Sequence, residues 1–214
     1  MTGFSSVILD VDSTLCGIEG IDWLAERRGA AIGRLVSGLT DRAMRGQIAL
    51  DAVYGERLAL VKPGRDDLLA LARAYADSVA PGAAQAIHQL CAAGRRIVLV
   101  SGGLREAILP VARLLAIAEH DVHAVSVRLY ADGAYEGFDT HSPLVTATGK
   151  RAVAASLALP SRVLAVGDGA TDLAMRPAVD AFAAFTGFVS RDSVVVAADF
   201  VLTSFDQLVE LVLA

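Results

Sequence analysis

Asp10 and Asp12 stand one residue apart in "ILDVDST", where an apolar run gives way to small polar residues. Core packing has no need of carboxylates there, and their mutual repulsion makes the pair costly. Two other apolar runs end in the same manner: "VLVSGG" carries Ser101, Gly102 and Gly103, and "LAVGDGATD" carries Asp168 and Asp172. Carboxylates gathered at one small site either raise a pKa or recruit a cation. With oxygen ligands and no His or Cys among them, that cation is a hard one, Mg²⁺ in preference to Zn²⁺. The Ser101 hydroxyl and the Gly102 and Gly103 amides suit phosphate oxygens, and Lys150 in "TATGKRA" adds a point charge at an expected helix start. An aspartate that attacks phosphorus forms an aspartyl-phosphate and divides one hydrolysis into two displacements. Asp10, at the strand end, is the candidate nucleophile. Asp12 is the candidate acid for the leaving oxygen and base for the water. Each tail by itself has an ordinary explanation, as an Asp-Gly turn, a Ser-Gly-Gly loop or an Asp-Ser-Thr helix cap. Their convergence is what carries the chemistry.

That convergence needs a parallel sheet, because open α/β sheets bind ligands beyond the carboxyl ends of their strands. "SSVILDVD" has the short apolar run of a buried parallel strand. From Gly20 to about Ala76 the pattern becomes amphipathic and helical, with a break at Pro63-Gly64. Pro81-Gly82 opens a helix that stops at Gly94, just before the strand "RRIVLVSGG". Pro110 inside "LREAILPVARLLAIA" predicts a kink or two shorter helices. "VHAVSVRLYADGAYEGF" predicts a strand and then a hairpin turning at Asp132-Gly133. A loop to Thr148, a helix from Gly149 to Leu157, the strand and helix of "RVLAVGDGATDLAM", the strands "AFAAF" and "DFVL" and a final helix complete the chain. The expected fold is α/β: a Rossmann-like parallel sheet with helices on both faces and a small helical segment inserted after the first strand. Residues 1–15 and 77–214 would form the core, and 16–76 the insert.

The bulk properties bound the rest. At 214 residues the chain supports one main core. No apolar run is long enough to span a bilayer, and no charged and apolar leader opens the chain, so a cytoplasmic protein is expected. A net charge of −5 with dispersed Lys and Arg argues against nucleic acid and for a small-molecule partner. Cys16 and Cys91 are too few and too far apart for a disulfide framework or a zinc site. Cys91 is expected to be a small core side chain. Of the four histidines only His141 falls near Lys150, and Trp23 is expected to pack within the insert.

"DVDST", an apolar strand ending in "SGG", a lone lysine before a helix, and "GDGATD" resemble the four ordered motifs of the haloacid-dehalogenase-like phosphatases. The resemblance narrows to the phosphoserine phosphatase family through "DVDSTLCGIEGIDWLA", "AMRGQIALDAVYGERLALVKP", "YEGFD" and "VGDGATDLAMRPAVDAFAAF". It implies a helical cap over the active site and hydrolysis of O-phosphoserine to serine in serine biosynthesis. Position by position, it implies Asp10 as nucleophile and Asp12 as general acid and base. Mg²⁺ would be held by the Asp10 carboxylate, the Asp12 main-chain carbonyl and Asp168. Ser101, Gly102 and Lys150 would bind phosphate, with Thr171 and Asp172 completing the site.

Glu19 matches the acid that faces the substrate ammonium, and Arg57 the arginine for its carboxylate. An amino-acid substrate rewards that pairing, since either charge is costly when left unpaired. Isolated residues of these types are usually solvated charges on helix faces. Two positions depart from the family pattern: Leu50 replaces a shielding phenylalanine, and Thr171 the asparagine common in bacterial members. Asp10 lies so near the first residue that no preceding regulatory domain is expected. The rivals are a phosphatase or phosphotransferase for another small phosphomonoester and a non-catalytic binder of a phosphorylated metabolite. A binder has no use for a nucleophile. Monomer and homodimer both remain open.

Overall fold

A computed structural model describes residues 3–44, 48, 50–160 and 162–214, without the side chains of residues 43, 44, 50 and 51, so the expectation at Leu50 lies outside the described residues. The chain enters through β1 (Ser6–Leu9), a wholly buried run of four residues. Four helices follow: α1 (Gly20–Arg27), α2 (Ala30–Met44), α3 (Leu50–Val61) and α4 (Arg65–Asp77). Helix α5 (Ala83–Ala92) then leads to β2 (Arg96–Leu104), and α6 (Arg105–Leu114) to β3 (Val122–Val125). The hairpin strands β4 (Val127–Leu129) and β5 (Tyr135–Phe138) pair antiparallel as a separate two-stranded sheet, with Gly133 at φ +90° in the turn. After α7 (Gly149–Ser156) come β6 (Val163–Gly167), α8 (Ala170–Leu173), β7 (Ala181–Phe185), α9 (Asp192–Ala197), β8 (Phe200–Leu202) and α10 (Phe205–Leu213).

Six strands form one parallel sheet in the order β3-β2-β1-β6-β7-β8. β1 lies between β2 and β6, with Ile8 opposite Val98 on one side and Ala165 on the other. Such centrality explains its unbroken apolar sequence, since a parallel strand covered on both faces has no solvent side to make polar. In the four-helix segment, Ile21, Leu24 and Ala25 of α1 and Leu68, Leu71, Ala72 and Tyr75 of α4 are buried. Their three- and four-residue spacing draws one apolar stripe along each helix. Helix α4 begins after the Pro63-Gly64 break, where the Asp67 carboxylate accepts from the Gly64 N–H at 3.0 Å.

Three local expectations change. Helix α6 is one helix through Pro110 rather than two shorter ones, because Ile108 and Val111 are buried beside it and hold the helix where one backbone hydrogen bond is missing. Helix α9 has no counterpart in the sequence reading, since the β-branched run "SVVVA" is a weak helix signal. Cys91 is exposed rather than in the core: the apolar stripe of α5 falls on Ala83, Ala86, Ile87 and Leu90, and Cys91 lies just off it.

Candidate active site

Asp10 is the first residue past β1 and Asp168 the first past β6, so two neighbouring parallel strands deliver their carboxylates to one end of the sheet. The Asp10 N–H donates to Val166 O at 3.1 Å, which extends the ladder one step beyond the strand. The Thr14 hydroxyl donates to Oδ1 of Asp168 at 3.2 Å. Lys150 arrives from α7. A Cβ on its neighbour Gly149 would lie 1.7 Å from the Pro143 carbonyl oxygen, so only glycine lets the helix start this close. Nζ of Lys150 stands 2.6 Å from Oδ1 of Asp10 and 2.6 Å from Oδ1 of Asp172. Asp172 is fixed in turn by the Gly169 N–H, which donates to its Oδ2 at 3.0 Å. Gly167 leaves the space for it, since a Cβ there would come within 2.2 Å of the Asp172 Cγ.

Burial and then the neighbouring Asp172 charge push the Asp10 carboxyl well above the usual carboxylate range, against the pull of Lys150. Burial also opposes the charge on Lys150, but Asp10 and Asp172 outweigh it and hold the amine above the usual lysine range. Candidate ligand oxygens of Asp10, Asp168 and Asp172 all lie within 4.8 Å of one another, and all three residues are buried. Oδ1 of Asp10 faces the Lys150 ammonium, and Oδ2 of Asp168 faces the Arg191 guanidinium. Three buried carboxylates this close repel one another unless positive charge stands among them, so this cluster can hold a metal ion. Arg191 presses its guanidinium against Oδ2 of Asp168 and donates to the Asp168 carbonyl at 3.3 Å.

The facing wall comes from the segment after β1 and from helices α1, α3 and α4. Oδ1 of Asp12 accepts from the Tyr75 hydroxyl at 2.6 Å and from the Gly20 N–H at 3.3 Å. Burial, and next the Glu19 charge, raise the Asp12 carboxyl to about 7. Glu19 accepts from the Ser13 hydroxyl at 2.7 Å, and the Arg191 guanidinium stands 3.9 Å from the same oxygen. Arg57 is 7% exposed, and its Nη2 donates to Asp22 at 2.7 Å. The Thr40 hydroxyl reaches both Asp22 oxygens at 3.1 Å, whereas Nε of Arg57 is buried without a partner among the described residues. The Tyr54 hydroxyl donates to Gly102 O at 2.7 Å, tying α3 to the Ser-Gly-Gly end of β2, where Ser101 Oγ accepts from the Gly103 N–H at 3.0 Å.

Asp10, Asp12, Glu19, Arg57, Ser101, Gly102, Lys150, Asp168, Thr171 and Asp172 all line one cavity. His141 is exposed and is not among the lining residues. The sequence reading missed Tyr54, Asp22, Tyr75 and Arg191. Asp22 follows Glu19 by three residues and Tyr54 precedes Arg57 by three, so helical spacing held a signal for both. Tyr75 and Arg191 have no local signal, since both are brought in by long-range packing. Burial keeps the Cys16 thiol above the usual range.

A family model for haloacid dehalogenase-like hydrolases matches residues 4–180. The chain belongs to that family. This haloacid dehalogenase-like hydrolase is 35% identical to phosphoserine phosphatase of Rattus norvegicus over 206 residues, covering 95% of the chain and 91% of the relative. It is 34% identical to the chloroplastic phosphoserine phosphatase of Arabidopsis thaliana, covering 95% of the chain and 70% of that relative. Among solved structures, a phosphoserine phosphohydrolase-like protein of Francisella tularensis superposes with a TM-score of 0.84 at 25% identity, covering 99% of the chain and 100% of that protein. Among the described residues of the hydrolase, no helix is long and apolar enough to cross a membrane.

Proposed function

We propose that this hydrolase removes phosphate from O-phosphoserine, releasing serine, through an aspartyl-phosphate on Asp10. The observation that carries the substrate class is Arg57, which has a buried Nε without a partner among the described residues and lines the cavity that also contains Glu19 and the Asp10-Lys150 pair. A buried guanidinium donor without an acceptor calls for an anion, and Glu19 calls for a cation. A small molecule with a carboxylate, an ammonium and a phosphate answers all three demands, and phosphoserine is such a molecule. The phosphoserine phosphatases among its relatives support the same choice.

In the first step an Asp10 carboxylate oxygen bonds to phosphorus as the ester P–O bond breaks. The electron pair leaves with the seryl oxygen, which takes a proton from Asp12. In the second step Asp12 takes a proton from water, whose oxygen attacks phosphorus and frees Asp10 and inorganic phosphate. Lys150 balances the charge of Asp10 before attack and of the phosphoryl oxygens during it, while Ser101, Gly102 and Thr171 donate to those oxygens. Asp172 fixes the lysine. When bound by Asp10, the Asp12 carbonyl and Asp168, Mg²⁺ supplies charge neutralisation at the transferring group. Residues 16–76 act as a cap over a core made of 1–15 and 77–214. We place the protein in serine biosynthesis in the cytoplasm, acting on a small molecule without nucleic acid, as a monomer or homodimer. A phosphatase panel run with Mg²⁺ and with EDTA tests the reading. Phosphoserine turnover that is preferred over other small monoesters and lost in EDTA is expected; no preference removes the substrate assignment.

A further inference from the structure

We propose that Tyr75 is a positioning residue that fixes the orientation of Asp12, so that Oδ2 is the oxygen that exchanges protons with substrate and water. Tyr75 is fully buried near the end of α4, far in sequence from Asp12, and its hydroxyl lies 2.6 Å from Oδ1. The Gly20 N–H lies 3.3 Å from the same oxygen. An amide nitrogen can only donate, so Oδ1 acts as an acceptor, and the phenol completes its shell as a second donor. Among the described residues Oδ2 takes no hydrogen bond, and Asp12 lines the cavity. The carboxyl proton therefore resides on Oδ2. Without the phenol, Oδ1 keeps one long hydrogen bond, and the carboxyl is free to turn its protonated oxygen away from the leaving group.

The surroundings of the hydroxyl point the same way. A Cβ on Gly20 would stand 2.1 Å from the Tyr75 oxygen, and one on Gly103 would stand 3.2 Å from it, so glycines keep the space that the hydroxyl occupies. A phenylalanine would fill the apolar part of that site equally well beside Leu71. The hydroxyl is what the carboxylate needs.

The inference rests on the phosphatase mechanism proposed above but not on phosphoserine as the substrate. In the first step the P–O bond to an alkyl leaving group breaks with transfer of the Oδ2 proton to the departing oxygen. A p-nitrophenyl leaving group departs as a stable phenolate and needs no such proton. A defect in the orientation of Asp12 therefore depresses kcat/KM, which reports the first step, for the alkyl ester alone. A general loss of packing would depress both.

Tyr75→Phe removes the hydroxyl, and Gly20→Ala displaces it by an independent route. For each variant kcat/KM is measured with phosphoserine and with p-nitrophenyl phosphate, and the ratio of the two is compared with that of the wild type. The ratio cancels any difference in the fraction of folded enzyme. The expected result is a fall of about ten-fold or more in the ratio for Tyr75→Phe, and a fall in the same direction for Gly20→Ala. A wild-type ratio in Tyr75→Phe overturns the proposal, whatever happens to total activity. If the wild type prefers another alkyl monoester, that ester takes the place of phosphoserine in the ratio. Such a result counts against the substrate reading and leaves the test of Tyr75 intact.

Discussion

The cavity has a floor and a roof that are built differently. The floor is fixed by backbone: Asp10 and Asp168 extend adjacent strands, Asp172 is held by the Gly169 amide, and glycines at 149 and 167 admit contacts that no other residue allows. The roof is fixed by side chains reaching to other side chains or to the end of β2, as in Thr40 to Asp22 to Arg57, Tyr75 to Asp12 and Tyr54 to Gly102. Backbone-held groups have one position available. Groups held by long side chains can be re-aimed by a single substitution. The floor therefore suits the step common to all substrates, and the roof suits the choice among them.

The largest expected effect lies in the floor. Asp10→Asn should cost at least about 10⁴-fold in turnover on every phosphate ester and should abolish trapping by beryllofluoride at that residue. Wild-type-like activity in that variant would remove the covalent mechanism. In the roof, Arg57→Ala should lower kcat/KM for phosphoserine by about 100-fold while sparing phosphoethanolamine, which lacks the carboxylate. Equal losses on both esters would place Arg57 with the floor and erase the contrast. Asp22→Asn should show the same substrate pattern at about ten-fold, because it loosens Arg57 without deleting it. A loss by Asp22→Asn larger than that of Arg57→Ala would mean that Asp22 touches substrate itself.

The smallest effect is one of stability in the metal-free protein. Asp12 is held at about 7 against an ordinary 3.8, so between those values the folded state binds more protons than the unfolded one. Stability in EDTA should fall as pH rises through that range, and Asp10 adds to the slope in the same direction. Denaturant titrations across the range check it, with Asp12→Asn expected to flatten the dependence. A stability that rises with pH over that window would contradict the burial of both carboxyls.

This division also explains what could be read from sequence. The floor was legible because each of its residues sits in a short run that combines strand, turn and carboxylate, as in "ILDVDST" and "VGDGATD". The parallel sheet and the hairpin at Asp132-Gly133 were legible for the same local reasons. In the roof, Glu19 and Arg57 were found only through a family resemblance. Asp22 and Tyr54 were passed over although each lies three residues from a residue already singled out, and Tyr75 was hidden because a hydrogen bond between residues 63 positions apart leaves no mark on either neighbourhood. Arg191 and α9 were hidden together, since a run of three valines obscures the helix that the arginine precedes. Cys91 was misplaced because one step around α5 separates its buried stripe from solvent.

The position of β1 carries a last consequence, for biosynthesis of the enzyme itself. Ile8 is made before either of its partners, for it pairs on one side with Val98 and on the other with Ala165. The strand that leads to Asp10 must wait for partners synthesised much later, and such non-local pairings are slow to close. A chain emerging from the ribosome thus carries Asp10 and Asp12 long before Lys150 and Asp168 exist. Phosphatase activity is consequently a property that switches on only when the whole sheet has assembled, and it can serve as a readout of complete folding.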